Sequence, residues 1–149
     1  MAAAKEAALA YLASHQVMTL ATTGPAGLWA AAVFYVNDEF TLYFLSAGHT
    51  RHIHNLTAYP RTAVTIQEDY SDWQTIQGIQ LEGVVTLLEG AERQAAIDRY
   101  QAKYPFLASA PAPIQQALFK VGWYRLQPDR LYFLDNSKGF GHRDEIPLN

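Results

Sequence analysis

The chain has 149 residues, half of them hydrophobic and 13% aromatic, and a formal net charge of −3. That length suits one compact domain, and a mildly acidic chain with no basic block lacks the electrostatic footprint of a nucleic-acid binder. Cysteine is absent, which excludes disulfides, zinc–thiolate sites, iron–sulfur clusters and cysteine nucleophiles.

The start, MAAAKEAALAYLASH, is alanine-rich and interrupted by Lys5 and Glu6, so it lacks the long apolar stretch of a secretion signal. It reads as an amphipathic helix with Ala8, Leu9 and Leu12 facing inward. No segment approaches the ~18 apolar residues of a membrane span, and the expected location is the cytoplasm. VMTLATT, residues 17–23, reads as a strand, and GPAG, 24–27, as a turn punctuated by glycine and proline. LWAAAVFYV, 28–36, is apolar at both parities, which predicts a strand buried on both faces. Asn37, Asp38 and Glu39 turn the chain into a third strand, FTLYFLS.

The segment SAGHTRHIHNL, 46–56, then opens a short helix that ends before Pro60. RTAVTIQED is the fourth strand. TIQGIQLEGVVTLL, 75–88, is a long strand in which Gly78 and Gly83 predict bends or bulges. ERQAAIDRYQAKY is a helix with Ala96, Ile97, Tyr100 and Tyr104 on one side. PFLASAPAP reads as a loop, IQQALFKVG as a helical turn, and WYRLQ with RLYFLD as a hairpin joined across Pro128 and Asp129. Nine tyrosines, seven phenylalanines and three tryptophans favour strands as the main frame. Six or seven antiparallel strands with three helical pieces predict a mainly β fold, a small β-barrel with peripheral helices. A barrel this small holds little beyond its own side chains. A sizeable ligand would then sit outside it, against a second subunit.

Three histidines around one arginine make 46–56 the chemically richest stretch. A metal reading fails on geometry. If Thr50 caps the helix, His52 and His54 point about 200° apart, His49 precedes the cap, and neither HxxxH nor HExxH spacing occurs. An anion reading uses the same residues more economically. A helix start offers unpaired N–H groups and the positive end of its dipole, Gly48 admits a close approach, and Thr50, Arg51 and His52 supply donors. The bland alternative is a capped helix with solvated side chains. No Ser-His-Asp order or paired-carboxylate motif stands out elsewhere.

From Leu20 to Ile66 the sequence resembles the pyridoxamine 5′-phosphate oxidase-like split-barrel flavoproteins. That family's strand–turn–strand–strand–helix run ends in a Ser-Arg-Lys phosphate grip, followed by Asn-Leu and Asn-Pro-Arg. Here these become Thr50-Arg51-His52, Asn55-Leu56 and Tyr59-Pro60-Arg61. IQLEGVVTLLEG, 79–90, looks like the family's next strand, and YRLQPDRLYFLDNSKGFG, 124–141, is similar to the closing strands of its small YhbP-type branch.

The resemblance implies a split barrel of the FMN-binding type and a homodimer with FMN in an interface groove. The flavin phosphate would rest on Thr50, Arg51 and His52. The isoalloxazine edge would lie along the backbone of Ala30, Ala31, Ala32, Val33, Phe34 and Tyr35, where three alanines let a flat ring approach. Ser46 matches a polar position near the cofactor, Gln80 a glutamine facing the groove, and Lys138 belongs with Phe140 and His142 to a groove-lining tail. Trp73 would cover the flavin or form an interface aromatic, and Glu82 reads as one half of an ion pair.

The departures narrow the activity. Ala30 and Tyr35 stand where the long-chain oxidases carry basic residues, His52 replaces a lysine, and the substrate segment of the vitamin B6 oxidases has no match. The implied function is an FMN-dependent oxidoreductase acting on NAD(P)H or another small molecule, with a deazaflavin as an alternative cofactor. The cofactor, not a catalytic side chain, would carry the redox chemistry. Two further readings stand beside it: a haem-handling protein with His49, His54 or His142 as axial ligand, and a cofactor-free dimer that binds a small ligand in the same groove.

Overall fold

The computed structural model describes all residues, Met1–Asn149. In chain order the elements are α1 (Ala2–Ser14), β1 (Val17–Thr22), β2 (Trp29–Phe34), β3 (Val36–Asp38), β4 (Thr41–Ser46), α2 (Arg51–Ala58), β5 (Arg61–Ile66), β6 (Gln77–Leu87), α3 (Gly90–Lys103), α4 (Ala112–Lys120), β7 (Gly122–Asp135) and β8 (Arg143–Glu145). Short 3-10 turns span Trp73–Thr75, Pro105–Ser109 and Asn136–Lys138. No helix is long and apolar enough to cross a membrane.

All strands join one antiparallel sheet in the order β2-β1-β5-β6-β7-β4-β3, with β8 beside β7. The sheet curls into a half-barrel whose concave face is apolar by period-two alternation. Met18 and Leu20 of β1, Val64 and Ile66 of β5, Ile79 and Leu81 of β6, and Leu126, Leu131 and Phe133 of β7 are buried there. α1 adds Ala4, Ala8 and Leu12 to this core, and α2 adds Ile53 and Leu56. A smaller cluster sets Ala96, Ile97 and Tyr100 of α3, with Tyr104, against Val36, Tyr43 and Trp123. The side of α3 expected to face inward does so.

Three expectations are corrected. The two terminal segments are not a hairpin: residues Gly122–Asp135 form one continuous strand. Pro128 and Asp129 bulge instead of turning, because β6 shifts register there, with Glu82 opposite Arg130 and Gly83 opposite Pro128. Proline has no N–H to give a ladder and is tolerated at such an irregularity.

The second correction concerns β2, which is exposed rather than buried on both faces. It pairs with β1 alone and forms an edge of the sheet, so its apolar residues have no neighbour strand to cover them. The third is that the strand count reaches eight, through the three-residue β3 and β8, and the last helical turn lengthens into α4.

Gly83 explains why the sheet bends where it does. A Cβ built there would lie 2.3 Å from the backbone oxygen of Gln127, a contact that only a backbone shift relieves. Gly83→Ala is therefore expected to cost about 2 kcal/mol by chemical denaturation, within the usual range for overpacking. Gly48→Ala, which meets nothing within 4 Å, is expected to change stability little.

Candidate functional site

The β1–β2 turn, Gly24 to Leu28, docks against α2, and two side chains of the helix hold it. Buried Asn55 donates from Nδ2 to Thr22 Oγ1 at 3.1 Å and to the Gly27 carbonyl at 3.4 Å. Gly24 is required by this seam, since a Cβ there would fall 2.3 Å from Asn55 Oδ1. Arg51 reaches back to the same turn and donates from Nη2 to the carbonyls of Ala26 (3.0 Å) and Leu28 (3.2 Å). Its guanidinium carbon lies 4.3 Å from the centroid of the Trp29 ring.

Between turn and helix lies a cleft of about 710 Å³, lined by Pro25, Gly48, His49, Arg51, His54 and Thr57 among others. No aspartate or glutamate lines it. Arg61, Arg99, Arg125 and Arg130 each pair with a carboxylate, whereas Arg51 pairs with none. The first turn of α2 contains no acid, and Thr50 caps it by accepting from the Ile53 N–H at 3.4 Å. The amides of Arg51 and His52 lie ahead of the helical ladder and are free for an anion. Gly48 has open space around its Cβ position, so no close approach demands a glycine there.

The structure separates residues that the sequence grouped. His52 does not line the cleft: it is buried beside the end of β4, with Nε2 2.8 Å from Ser46 Oγ and 3.3 Å from Thr50 Oγ1. Burial lowers its pKa below the ordinary histidine value, which favours a neutral ring hydrogen-bonded to Ser46. His54 faces the cleft with Arg51 instead. The signal was available, because residues three apart share a helix face whereas neighbours do not. Asn55, four residues after Arg51, shares that face, whereas the turn residues carried no such signal.

The other candidates are dispersed. Ala30 and Ala32 of β2 are exposed, opposite Ala21 and Thr19. Ala31 and Val33 are half-buried, Val33 packing against the core. Phe34 is half exposed, with its ring edge-on to Tyr104. Tyr35 is wholly buried and donates its hydroxyl to the Leu12 carbonyl at 2.7 Å.

Gln80 lies on the exposed sheet face between Thr65 and Tyr132, accepting from Arg143 at 3.4 Å. Lys138 is exposed on the last 3-10 turn, beyond the Gln77 end of β6 and remote from the cleft. Nearby, exposed Trp73 and Phe140 meet edge to face, 5.7 Å apart. Glu82 pairs with Arg61 and Arg130, and His142 with Asp144. Nowhere do three histidine, aspartate or glutamate side chains form a group able to hold a metal.

The buried ring of His52 has a measurable consequence. Because the folded chain binds its proton less readily than the unfolded chain, acidification loads the unfolded state first. The contribution of His52 is whole above the free-histidine value near ~6.5 and is lost as pH falls from there toward the lower folded-state value. Urea denaturation at pH 7.5 and pH 5 is expected to show a larger loss for wild type than for His52→Gln. Equal losses would mean that the ring is not held neutral.

A family model described as pyridoxamine 5′-phosphate oxidase matches residues 4–135. A UPF0306 protein from Photorhabdus laumondii is 33% identical over 135 residues, covering 89% of this chain and 88% of that relative. The UPF0306 protein YhbP of Salmonella schwarzengrund is 31% identical, over 89% of this chain and 86% of its own length. Among solved structures, a haem-binding protein from Mycobacterium smegmatis matches 98% of this chain with a TM-score of 0.74 and 25% identity. This chain spans 57% of that protein's length. The curled sheet, the sequence match along nearly its whole length and the YhbP relatives agree, and the chain belongs to the pyridoxamine 5′-phosphate oxidase-like split-barrel family, on its UPF0306 branch.

Proposed function

We propose that the protein is an FMN-binding flavoprotein, a homodimeric oxidoreductase acting on NAD(P)H or another small molecule. The observation that carries this reading is Arg51, an arginine without a carboxylate partner in an acid-free cleft at a helix start. Such a site suits a phosphate monoester, since Nη1 and Nε remain available for charge-assisted hydrogen bonds. The donor set therefore fits the phosphate of FMN. The first amides of α2 would complete the grip, with Thr50 capping the helix by donating to the Ala47 carbonyl and accepting from Ile53, and neutral His52 would fix the Ser46 hydroxyl without adding charge.

The exposed face of β2 and its neighbours supports the remainder of the reading. Ala21, Ala30, Ala32 and Ala63 leave it low, with Val17 and Phe34 exposed at one end. A flat ring can approach such a backbone closely, and a second copy can cover the rest. Gln80 and Lys138 lie away from the Arg51 cleft of their own chain, so in this reading they serve the partner's groove. Bound flavin supplies hydride transfer; the chain's residues bind it, orient it and shield it.

A second reading, haem held through His49 or His54, rests on two imidazoles exposed at the same cleft and on the haem-binding relative from Mycobacterium smegmatis. The absorption spectrum of the untagged protein separates the two: flavin bands support the first, a Soret band the second.

Two outcomes are expected. Light scattering at micromolar concentration gives the mass of a dimer; a monomer would contradict the interface groove. Arg51→Ala weakens FMN binding by about 10- to 150-fold, the equivalent of a charged hydrogen-bond pair worth roughly 1.5–3 kcal/mol, and leaves riboflavin binding nearly unchanged. Equal wild-type affinity for FMN and riboflavin would remove the phosphate grip.

A further inference from the structure

We infer that Trp29 is a positioning residue of this cleft: its indole, together with the Ala26 and Leu28 carbonyls, holds the Arg51 guanidinium with Nη1 and Nε left free for an anion. The ligand in this inference rests on the phosphate reading above, whereas the geometry of Arg51 does not. Trp29 opens β2 opposite Thr22, whose hydroxyl accepts from Asn55. The tryptophan thus sits on the best-anchored part of the hairpin. Its ring remains 44% exposed, and the Arg51 guanidinium carbon lies 4.3 Å from its centroid. That separation is within the range of a favourable cation–π contact.

The hydrogen bonds decide which guanidinium nitrogens are open. Both contacts to the turn come from Nη2, which has two N–H donors. Nη1 and Nε make no hydrogen bond within the chain and retain the other three. No carboxylate competes for them, because Arg51 has no acidic partner. A solvent-exposed arginine ordinarily loses much rotamer freedom on capturing a ligand. Here the planar group is clamped in advance between an aromatic face and two carbonyls, so less order remains to be imposed when an anion binds. Nη1 and Nε lie on different edges of the group, and the charge-assisted donors they keep favour a phosphate over an uncharged hydroxyl.

A purely structural Trp29 would stabilise the hairpin and leave anion discrimination alone. Two measurements separate these roles in full-length protein: the FMN-to-riboflavin affinity ratio, and the NMR order of the Arg51 Nε–Hε group without ligand. Trp29→Ala is expected to lower the ratio roughly 2- to 5-fold, the scale of a surface cation–π contact, and to make Nε–Hε mobile. Trp29→Leu keeps apolar bulk without an aromatic face and should behave like the alanine variant, whereas Trp29→Phe should recover part of the ratio. With Arg51→Ala as background, Trp29→Ala should produce no further change in the ratio.

Equal losses for FMN and riboflavin, an ordered Arg51 in Trp29→Ala, or an unchanged ratio in Trp29→Leu would overturn the inference. If wild type binds neither flavin, the functional reading fails. The order of Arg51 in the leucine and phenylalanine variants then decides the positioning claim by itself.

Discussion

One antiparallel ladder governs where everything else can be. β6 and β7 are partnered from Gln77–Asp135 to Leu87–Tyr124, and the bulge at Gly83 and Asp129 bends them together. A flat sheet cannot wrap one core, so this bend is the condition for closure. β5 and β1 then follow on one flank, β4 and β3 on the other. Since α2 connects β4 to β5, strands on opposite flanks of the ladder, it must cross the end of the barrel. Ile53 and Leu56 seal the core beneath it, and its outer side is left to face the β1–β2 turn.

That crossing gives α2 two chemically distinct sides. The inner side holds His52 among hydroxyls, where desolvation disfavours its charge. The outer side presents Arg51 and His54 to the cleft, near a helix start whose amides are not all used. A permanent cation clamped at the surface and a neutral ring buried behind it are different tools. The first is exposed at the cleft; the second is hydrogen-bonded to the hydroxyls of Ser46 and Thr50. Fold and site are coupled through Asn55, which joins the helix to the turn that positions Arg51.

Much of the architecture was legible because it follows from alternation and punctuation. The strand runs at β1, β5 and β6 and the α3 face of Ala96, Ile97, Tyr100 and Tyr104 obey simple periods. The bulge at Gly83 was visible as a glycine inside a long strand. Pro128-Asp129 misled because the same dipeptide suits both a turn and a bulge, and only pairing across the sheet decides between them. β2 misled for a related reason: apolar residues at both parities mark a strand with two covered faces, whether the cover is its own chain or another surface. In the site, Arg51 was legible from the helix start. His52 was grouped with Arg51 through its match to the family's lysine, whereas the fold turns its ring inward and leaves His54 at the cleft. The contacts of Arg51 with Ala26, Leu28 and Trp29 span more than twenty residues, and no local pattern announces them.

The alanines of β2 have a further consequence, at the edge of the sheet. An exposed edge strand is a template on which other chains can add, and long β-branched edges invite polymerisation. Ala30, Ala31 and Ala32 occupy the middle of such an edge, and alanine is among the weaker strand formers. The edge is therefore a poor seed for cross-β growth. Replacing the run with valines would strengthen the strand locally and remove that protection.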